Sequence, residues 1–257
     1  MSQTFAPRPG AAPLPRMVLT QCAMETRLLL RNGEQLLLAV VIPLIVLFAG
    51  VYGAEHFSLT AVDPVQVLTP GVLALAVMST SFTSLAIATG FERRYGVLKR
   101  LGSSPLPRTG LLLGKVLSLF AVQLLQFGVV GAAAVAVGWD PSLTPEAVGG
   151  ALLCVLAGTA AFASLGLLLA GMLRAEATLA AANLIYVVLL IGGAVVAPAS
   201  AYGGAGWALE HLPSGALGQG LRESFASSGS VPWLHVCVLV VWAALGTMLT
   251  ARTFKWE

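Results

Sequence analysis

Residues 64–101 read PVQVLTPGVLALAVMSTSFTSLAIATGFERRYGVLKRL, in which a long apolar run is followed at once by charged residues. The uncharged part, 64–91, is longer than the roughly 20 apolar residues that a helix needs to cross a hydrocarbon layer about 30 Å thick. This stretch therefore predicts a membrane-spanning helix whose end projects into water on one side.

Five further stretches are also uncharged, apolar and close to the required length: Leu36–Ala54, Val116–Trp139, Ala147–Leu173, Ala177–Leu209 and Ser224–Ala251. Only 10% of the residues are charged, whereas soluble proteins reach about 25%, and the mean hydropathy is +0.88. The sequence thus predicts an all-α integral membrane protein with six transmembrane helices, at about 36–54, 67–90, 113–138, 147–173, 177–197 and 231–251. These spans leave no room for a folded soluble domain, which needs at least about 50 residues.

Basic residues are divided very unequally between the two sides of the predicted bundle. Of the 14 Lys and Arg residues, Arg222 alone falls on one side, and the other side carries the rest: Arg8, Arg16, Arg27, Arg31, Arg93, Arg94, Lys99, Arg100, Arg108, Lys115, Arg174, Arg252 and Lys255. Because positive charge stays in the cytoplasm during insertion, both termini are predicted to be cytoplasmic in a multi-pass protein of the cytoplasmic membrane. The net charge of +3 is then an orientation signal and no argument for nucleic-acid binding.

The N-terminal region divides into two parts. Residues 1–15 are rich in Pro and Ala and are predicted to form a disordered cytoplasmic tail. Residues 16–33 place basic and apolar side chains on opposite faces at helical spacing, which predicts an amphipathic helix lying in the membrane interface. The region 16–257 is then a single transmembrane domain.

The cytoplasmic end of the second span carries an apolar stripe, because Phe91, Tyr95, Leu98 and Leu101 recur every three or four residues. The stripe predicts a short amphipathic helix that ends in the turn-forming residues 102–105. The orientation requires only a basic cytoplasmic loop here. A stripe of this length and regularity favours an element that docks onto a partner.

Hydroxyl groups crowd the middle of the second span, where Thr80, Thr83 and Ser84 share one helical face. Either these hydroxyls bond to their own or a neighbouring helix, or they line a pathway for cargo. Amides in lipid also need partners, so those of the later spans are predicted to face protein or water: Gln123, Gln126 and Asn183. We take Thr80, Thr83, Ser84 and Asn183 as the candidate pathway residues.

The last outward connection, 197–230, is too apolar for a solvated loop and too rich in Gly and Pro for a span. It predicts short re-entrant or interfacial helices, whose backbone must be buried in protein or border a cavity. Trp207 and Trp233 are expected at the outer headgroup level. Arg222 and Glu223 are adjacent opposite charges on this face, where an exposed ion pair is worth only about 0–1 kcal/mol.

No combination of residues in the sequence predicts catalysis or metal binding. Segment 110–116, GLLLGKV, is not a phosphate-binding loop, because it has three residues between its glycines and Val in place of Ser or Thr. The chain is therefore predicted to be no enzyme and to bind no cofactor. His235, interpreted as an interfacial residue, is the one ionisable group near the interior of a span, so the ionisable relay of ion-coupled carriers is missing. An ion-coupled secondary transporter and a non-transporting membrane assembly protein are the alternatives to a transporter powered from outside.

Two motifs carry a resemblance to a known family. The run from Glu92 to Leu101, followed by Ser104-Pro105 and by LLLGK at 111–115, resembles the signature of ABC-2-type exporter membrane subunits, closest to the daunorubicin-resistance type of drug-export permease. The stretch LPSGAL at 212–217, followed by Leu221-Arg222, is similar to the proline-led re-entrant stretch of that family. Lys99 departs from the pattern, since many members carry an acidic residue there.

This resemblance implies a function and two partners. It implies that a cytoplasmic coupling helix docks into a separate ABC nucleotide-binding subunit, which binds the ATP and Mg, through Glu92, Arg93, Arg94, Tyr95, Gly96, Leu98, Lys99, Leu101 and Pro105. It implies a second permease subunit, identical or related, and a pathway lined by the first, second and fifth spans. Pro213, Leu217 and Arg222 are the corresponding re-entrant residues. The expected activity is export of an amphipathic drug, lipid or glycolipid across the lipid bilayer.

Overall fold

The structure is a computed structural model that describes residues 12–33, 37–56, 63–102, 106–227 and 229–253, and within these ranges it contains helices and turns but no strand. Most of the predicted tail, residues 1–11, lies outside the described residues. The α-helices are α1 (Leu14–Arg31), α2 (Ile42–His56), α3 (Pro64–Met78), α4 (Leu85–Arg94), α5 (Val97–Gly102), α6 (Arg108–Ala136), α7 (Pro145–Met172), α8 (Ala175–Gly192), α9 (Gly206–Leu209), α10 (Pro213–Phe225) and α11 (Trp233–Thr253). Two π-helical turns, Leu37–Val41 and Ser79–Ser84, and a 3₁₀ segment, Ala199–Ala205, complete the chain order.

Five helices of the described chain are long and apolar enough to cross a membrane: Pro64–Arg94, Thr109–Ala136, Pro145–Met172, Ala175–Gly192 and Trp233–Thr253. They correspond to the second to sixth predicted spans, and the first of them joins α3, the turn Ser79–Ser84 and α4 into one helix. The first predicted span contains a shorter apolar helix, Ala39–Gly53. The structure therefore supports a multi-pass membrane protein with five candidate spans.

Local sequence explains where two of these helices begin. Asp63 precedes α3 and accepts a hydrogen bond from the Val65 backbone N–H at 3.1 Å, with Pro64 in the first helical position. Thr144 does the same for α7, accepting from the Ala147 N–H at 3.2 Å ahead of Pro145. Both are the capping arrangement in which a side-chain oxygen satisfies a free N–H group and Pro supplies the helical φ angle.

The second span lies at the centre of the bundle. In its apolar window 89% of the residues are buried, against 17% to 44% in the other four candidate spans. Helices α2, α6, α7 and α10 pack around α3, and α7 and α8 pack against α4. The outer helices are apolar on their exposed faces too, as α8 shows with Leu184, Val188 and Ile191. An apolar helix exposed in this way is suited to lipid or to another membrane-embedded subunit.

Glycine permits the closest helix contact with the central span. A Cβ atom on Gly166 of α7 would lie 2.8 Å from the Phe82 carbonyl oxygen in the turn Ser79–Ser84. Small residues at such positions let the backbones of membrane helices approach one another. This position therefore excludes any larger side chain without a shift of α7.

The N-terminal helix begins at Leu14, two residues before the predicted start, and packs against α6. Its buried face combines Val18 with the polar Gln21 and Glu25, while Leu19 and Leu28 are 63% and 57% exposed. The predicted division into a basic and an apolar face is therefore incomplete. A third face, containing a carboxylate, is turned into the protein.

Candidate functional site: the charged end of the second span

The second span ends in a break rather than in one continuous amphipathic helix. The N–H groups of Tyr95 and Gly96 still bond to the carbonyls of Phe91 and Arg93, at 2.9 and 3.1 Å. Gly96 then has φ of +68°, a conformation that Gly adopts without the steric cost of a side chain. The predicted helix over 91–101 is thus divided into the end of α4 and the short helix α5, so the apolar stripe is bent.

Glu92 is held in a buried ionic triad. Lys115 Nζ donates to Glu92 Oε1 at 2.6 Å and to Glu25 Oε1 at 2.8 Å. Gln21 Nε2 donates to the same Glu25 oxygen at 2.7 Å. Lys115 is only 4% exposed, so this triad joins α1, α4 and α6 away from water. Removing one member would leave a buried charge uncompensated, which costs about 3–5 kcal/mol in soluble proteins.

The two arginines that follow Glu92 bind the connection between α7 and α8. Arg93 donates from Nη1 to the Gly171 carbonyl at 2.5 Å and from Nη2 to the Leu173 carbonyl at 2.6 Å, so it satisfies carbonyls at the end of α7. Arg94 forms an ion pair with Glu176, in the first turn of α8. Its guanidinium also lies over the Tyr95 ring, 5.7 Å from the centroid. Both arginines therefore hold the end of the central span against its neighbours.

The remaining predicted docking residues differ in accessibility. Tyr95 is 64% exposed and Lys99 is exposed, and Val97, which the sequence reasoning omitted, is 36% exposed. Leu101 is partly buried. The Leu98 side chain and Pro105 lie outside what the structure describes. The docking roles of all nine predicted residues stay predictions. Among the nine, Arg94, Tyr95 and Lys99 have exposed side chains, and Val97 is exposed beside them.

The hydroxyl-rich turn Ser79–Ser84 is entirely buried and bonds to the neighbouring spans. Thr80 Oγ1 donates to Gln126 Oε1 at 2.9 Å, and Gln126 Nε2 donates to the Ala39 carbonyl at 2.6 Å. Ala39 lies in the other π-helical turn. A hydrogen-bonded chain thus connects both π-helical turns through α6.

A second chain of hydrogen bonds connects the same turn to α7, again through α6. Gln123 Nε2 donates to Ser81 Oγ at 2.8 Å, and Thr159 Oγ1 donates to Gln123 Oε1 at 3.1 Å. Both amides therefore face protein, as predicted. Hydroxyl and amide groups of this kind join membrane helices, and here they join the second, third and fourth predicted spans.

The four candidate pathway residues are not equivalent. Thr80 is engaged in the hydrogen bond to Gln126. Thr83 Oγ1 is buried with no hydrogen-bond partner among the described residues, and Ser84 is buried beside it. Asn183 is half-buried on α8. Contact of these residues with cargo stays a prediction.

Arg222 lies in a backbone cradle at the other end of the molecule, where carbonyl groups hold its guanidinium. Its Nε donates to the Val67 carbonyl at 3.1 Å, and its Nη2 donates to the carbonyls of Val195, at 2.8 Å, and Val196. Nη1 donates to Gln219 Oε1 at 2.8 Å. Burial lowers the pKa of Arg222 to about 10, which still leaves the guanidinium charged at neutral pH.

This cradle explains why the fifth predicted span ends at Gly192 and not at the predicted residue 197. The chain leaves the helix at Gly193, whose carbonyl accepts a hydrogen bond from Ser214 Oγ at 2.8 Å. The segment that follows is bent, with φ of +51° at Ala194, and its carbonyls are those bound by Arg222. Non-helical backbone at membrane depth is tolerated where such partners satisfy it, and α10 supplies them.

The segment before the last helix forms short helices, and α10 is inserted into the bundle against α3, α7 and α11. Pro213 begins α10, and Leu217 is fully buried within it. Trp207 and Trp233 are 72% and 65% exposed, as expected of residues at a membrane surface.

His235 is buried in the protein, with 5% exposure, and its position at the membrane interface stays a prediction. Its Nδ1 lies 3.4 Å from Glu223 Oε2 of α10. Neither ring nitrogen forms a hydrogen bond with the residues that the structure describes. The described ranges contain no group of three or more His, Cys, Asp or Glu residues that could hold a metal ion.

An all-helical bundle with several apolar helices and a charged, protein-anchored helix end on one side defines a multi-pass membrane protein. Residues 62–252 match the sequence pattern of the ABC-2 family transporter proteins. The match runs from the start of the central span into the end of the last helix, so the chain belongs to the ABC-2 family. Curated protein sequences contain no significant match to it.

Family membership confirms the resemblance found in the sequence at the level of the family. The chain is a membrane permease of an ABC transporter, a component that is generally non-catalytic. Membership also implies a partner, the ABC nucleotide-binding subunit. Sequence reasoning missed the roles of Glu25 and Lys115. A carboxylate within the apolar pattern of α1 was the signal that could have indicated them.

Proposed function

We propose that this chain is the permease subunit of an ATP-driven exporter of the daunorubicin-resistance type. It moves an amphipathic drug, lipid or glycolipid out across the cytoplasmic membrane, and a separate subunit binds ATP and Mg and hydrolyses the ATP. Two permease subunits, identical or related, enclose the pathway. The observation that carries the proposal is the central, most buried span, whose charged cytoplasmic end is bonded to three neighbouring elements.

The proposal includes a sixth span. The π-helical turn Leu37–Val41 leads directly into α2, and together they cover residues 37–56. Twenty helical residues extend about 30 Å, which matches the hydrocarbon thickness. Packing of α2 against α3 and the bond from Gln126 to Ala39 support a position inside the bundle. With six spans, the basic residues named above put both termini in the cytoplasm.

The exposed residues Tyr95, Val97 and Lys99 form the surface on which the nucleotide-binding subunit docks. Closure of that subunit around ATP pushes on α5 and α4, and the central span transmits the movement to the candidate pathway at Thr83, Ser84 and Asn183. Such a change is a two-state shift, biased by the higher affinity of ATP for one state. The Lys115 triad carries the same movement to α1.

Co-purification tests the docking surface. Val97→Glu places a charge at an exposed apolar position of α5 and should abolish co-purification of the nucleotide-binding subunit while leaving membrane insertion intact. Leu143→Glu is the matched control, because Leu143 is 71% exposed and lies on the proposed outer side. Unchanged co-purification of the Val97→Glu protein would refute docking at this surface.

Transport in vesicles tests the energy source. Export should stop when ATP is removed, even with a proton gradient present. Export that persists under the gradient alone would identify an ion-coupled carrier. A purified complex without substrate-stimulated ATPase activity would instead identify a membrane assembly protein.

Labelling tests the orientation. A single cysteine at Asp140→Cys, in a chain whose cysteines at 22, 154 and 237 are replaced, should react with an impermeant maleimide added outside the cell. Reaction only from the cytoplasmic side would reverse the proposed topology.

A further inference from the structure

A cavity of about 510 Å³ opens beside the Lys115 triad, between α1 and the cytoplasmic end of the second span. Its walls are mostly apolar and include Leu29 of α1, Ile87 and Phe91 of α4, and Leu179 of α8. The volume lies within the ~300–1,000 Å³ of small-molecule sites, which combine apolar walls with a few polar groups. The cavity is therefore large enough for a ligand of ordinary drug size.

Carboxylates outnumber basic side chains around the cavity. Glu25 and Glu92 both line it, and the described lining includes no Lys or Arg. Lys115 contacts both carboxylates, so one cation faces two anions. A second cation would neutralise the group, and burial makes an unbalanced charge costly.

One carboxylate oxygen is also left without a partner. Lys115 bonds to the Oε1 atoms of Glu25 and Glu92. Glu92 Oε2 is buried, and no group in the described chain donates a hydrogen bond to it. Buried polar atoms are nearly always satisfied in native proteins, so this oxygen marks the end of the cavity at which a positive group is missing.

Aromatic rings in the wall of the cavity also favour a positively charged ligand. Phe91 and Tyr95 both line the cavity, and their rings stack with centroids 6.2 Å apart. The Arg94 guanidinium already lies over the Tyr95 ring, which shows that the electron-rich face of this pair accepts a cation.

We propose that this cavity binds a lipophilic monocation, with its charge beside Glu92 and its apolar body against Leu29, Ile87 and Leu179. The inference rests on the proposed function, which places α1 in the inner membrane interface, where such amphiphiles concentrate. It names the class of cargo that this exporter collects from the inner leaflet.

Equilibrium binding to the purified full-length protein in phosphatidylcholine nanodiscs tests the proposal without ATP or the nucleotide-binding subunit. Tetraphenylphosphonium is the probe, and tetraphenylborate, which has the same shape and the opposite charge, is its control. Empty nanodiscs supply the background. We expect saturable binding of the phosphonium and none of the borate. Saturable binding of both ions alike, or of neither, would overturn the charge selectivity.

Two variants test the site separately. Glu92→Gln should weaken phosphonium binding at least about tenfold, since one partner of a buried charge contact is lost. Ala88→Trp fills the cavity, whose wall includes Ala88, and leaves the triad in place, so it should abolish binding in a protein that remains monodisperse. Glu146→Gln, an exposed carboxylate at the start of α7, should bind as the unaltered protein does. Unchanged affinity in the Ala88→Trp protein would place the ligand elsewhere and refute the proposal.

The source of the cation is tested by adding phosphatidylethanolamine to the nanodiscs. Loss of phosphonium binding would assign the cavity to a lipid ammonium group, and retained binding would assign it to a free lipophilic cation. Failure of this inference is distinguishable from failure of the proposed function. The inference fails if the phosphonium does not bind, whereas the function fails if no nucleotide-binding subunit associates.

Discussion

The two ends of the central span, called inner and outer after the proposed topology, hold positive charge in different ways. At the inner end the buried Lys115 is balanced by the carboxylates Glu25 and Glu92. At the outer end Arg222 is bound by backbone carbonyls and by the neutral Gln219. Ion pairs can exchange partners when helices move, whereas a guanidinium bound to several carbonyls fixes the backbone around it. Arg93 forms two such carbonyl bonds at the inner end as well, so the comparison is between the Lys115 triad, whose ion pairs can exchange partners, and the Arg222 cradle, which fixes the backbone.

Loss of the outer cradle should have the largest effect. Arg222→Leu leaves the carbonyls of Val67, Val195 and Val196 without their donor, and each unsatisfied buried group costs about 1–3 kcal/mol. We expect a loss of about 4 kcal/mol in stability, measured by thermal unfolding in detergent. Arg252→Leu, at an exposed position of α11, should change nothing. A normal unfolding temperature for Arg222→Leu would show that the cradle does not fix the outer end.

Breaking the inner triad should cost somewhat less. Lys115→Met leaves two carboxylates facing each other and should lower stability by about 3 kcal/mol. The double variant Lys115→Met/Glu92→Gln should recover part of this loss, because one of the two charges is removed. Lys99→Met provides the control at an exposed position of α5. Additive losses in the double variant would argue against a coupled triad.

The hydrogen bonds at the middle of the span should contribute less to stability than the charged groups at its two ends. Gln126→Leu removes the bonds to Thr80 and to the Ala39 carbonyl and should cost about 1 kcal/mol, the scale of such bonds between membrane helices. Leu124→Ala, on the same helix but 77% exposed, is the control. Equal unfolding temperatures for both variants would mean that this hydrogen-bonded chain contributes nothing to stability.

An equally small effect on stability should come from the break at the inner end. Gly96→Ala places a side chain at φ of +68° and should cost about 1 kcal/mol. It should also reduce substrate-stimulated ATPase activity, since α5 is displaced from its docking angle. Gly128→Ala, in α6 with open space around it, should instead stabilise the protein by ~0.5–1 kcal/mol. Full ATPase stimulation in the Gly96→Ala complex would show that the angle of α5 is unimportant.

Hydropathy and charge were sufficient to predict the helical class, because membrane helices satisfy their own backbones and therefore appear in the sequence as long apolar stretches. The family was predicted from the resemblance of two motifs. The end of α8 could not be predicted, since residues 193–197 are as apolar as the helix before them. The helix ends here because Arg222, which is distant in sequence, donates hydrogen bonds to carbonyls that have left the helical conformation.

The position of the candidate site along the sequence was predicted, but the contacts of its side chains were not. The motif located the end of the second span. Its charges were compatible both with contacts to a partner and with contacts inside the protein, as holds for Glu92, Arg93 and Arg94. Their partners, Lys115, Gly171 and Glu176, lie on other helices. The burial of His235 was not predicted for a related reason, because its position near the start of the last span does not reveal that α10 covers it.

The turn Ser79–Ser84 also determines which neighbours the central span meets. A π-helical turn accommodates about one extra residue, so the side chains after it are offset by about 100° from the α-helical pattern before it. Before the turn the helix packs against α10, and after it the helix packs against α8. A single helical wheel drawn over 64–94 therefore superimposes two different surfaces. Straightening this turn would rotate the inner half of the helix relative to the outer half, which Arg222 keeps in place.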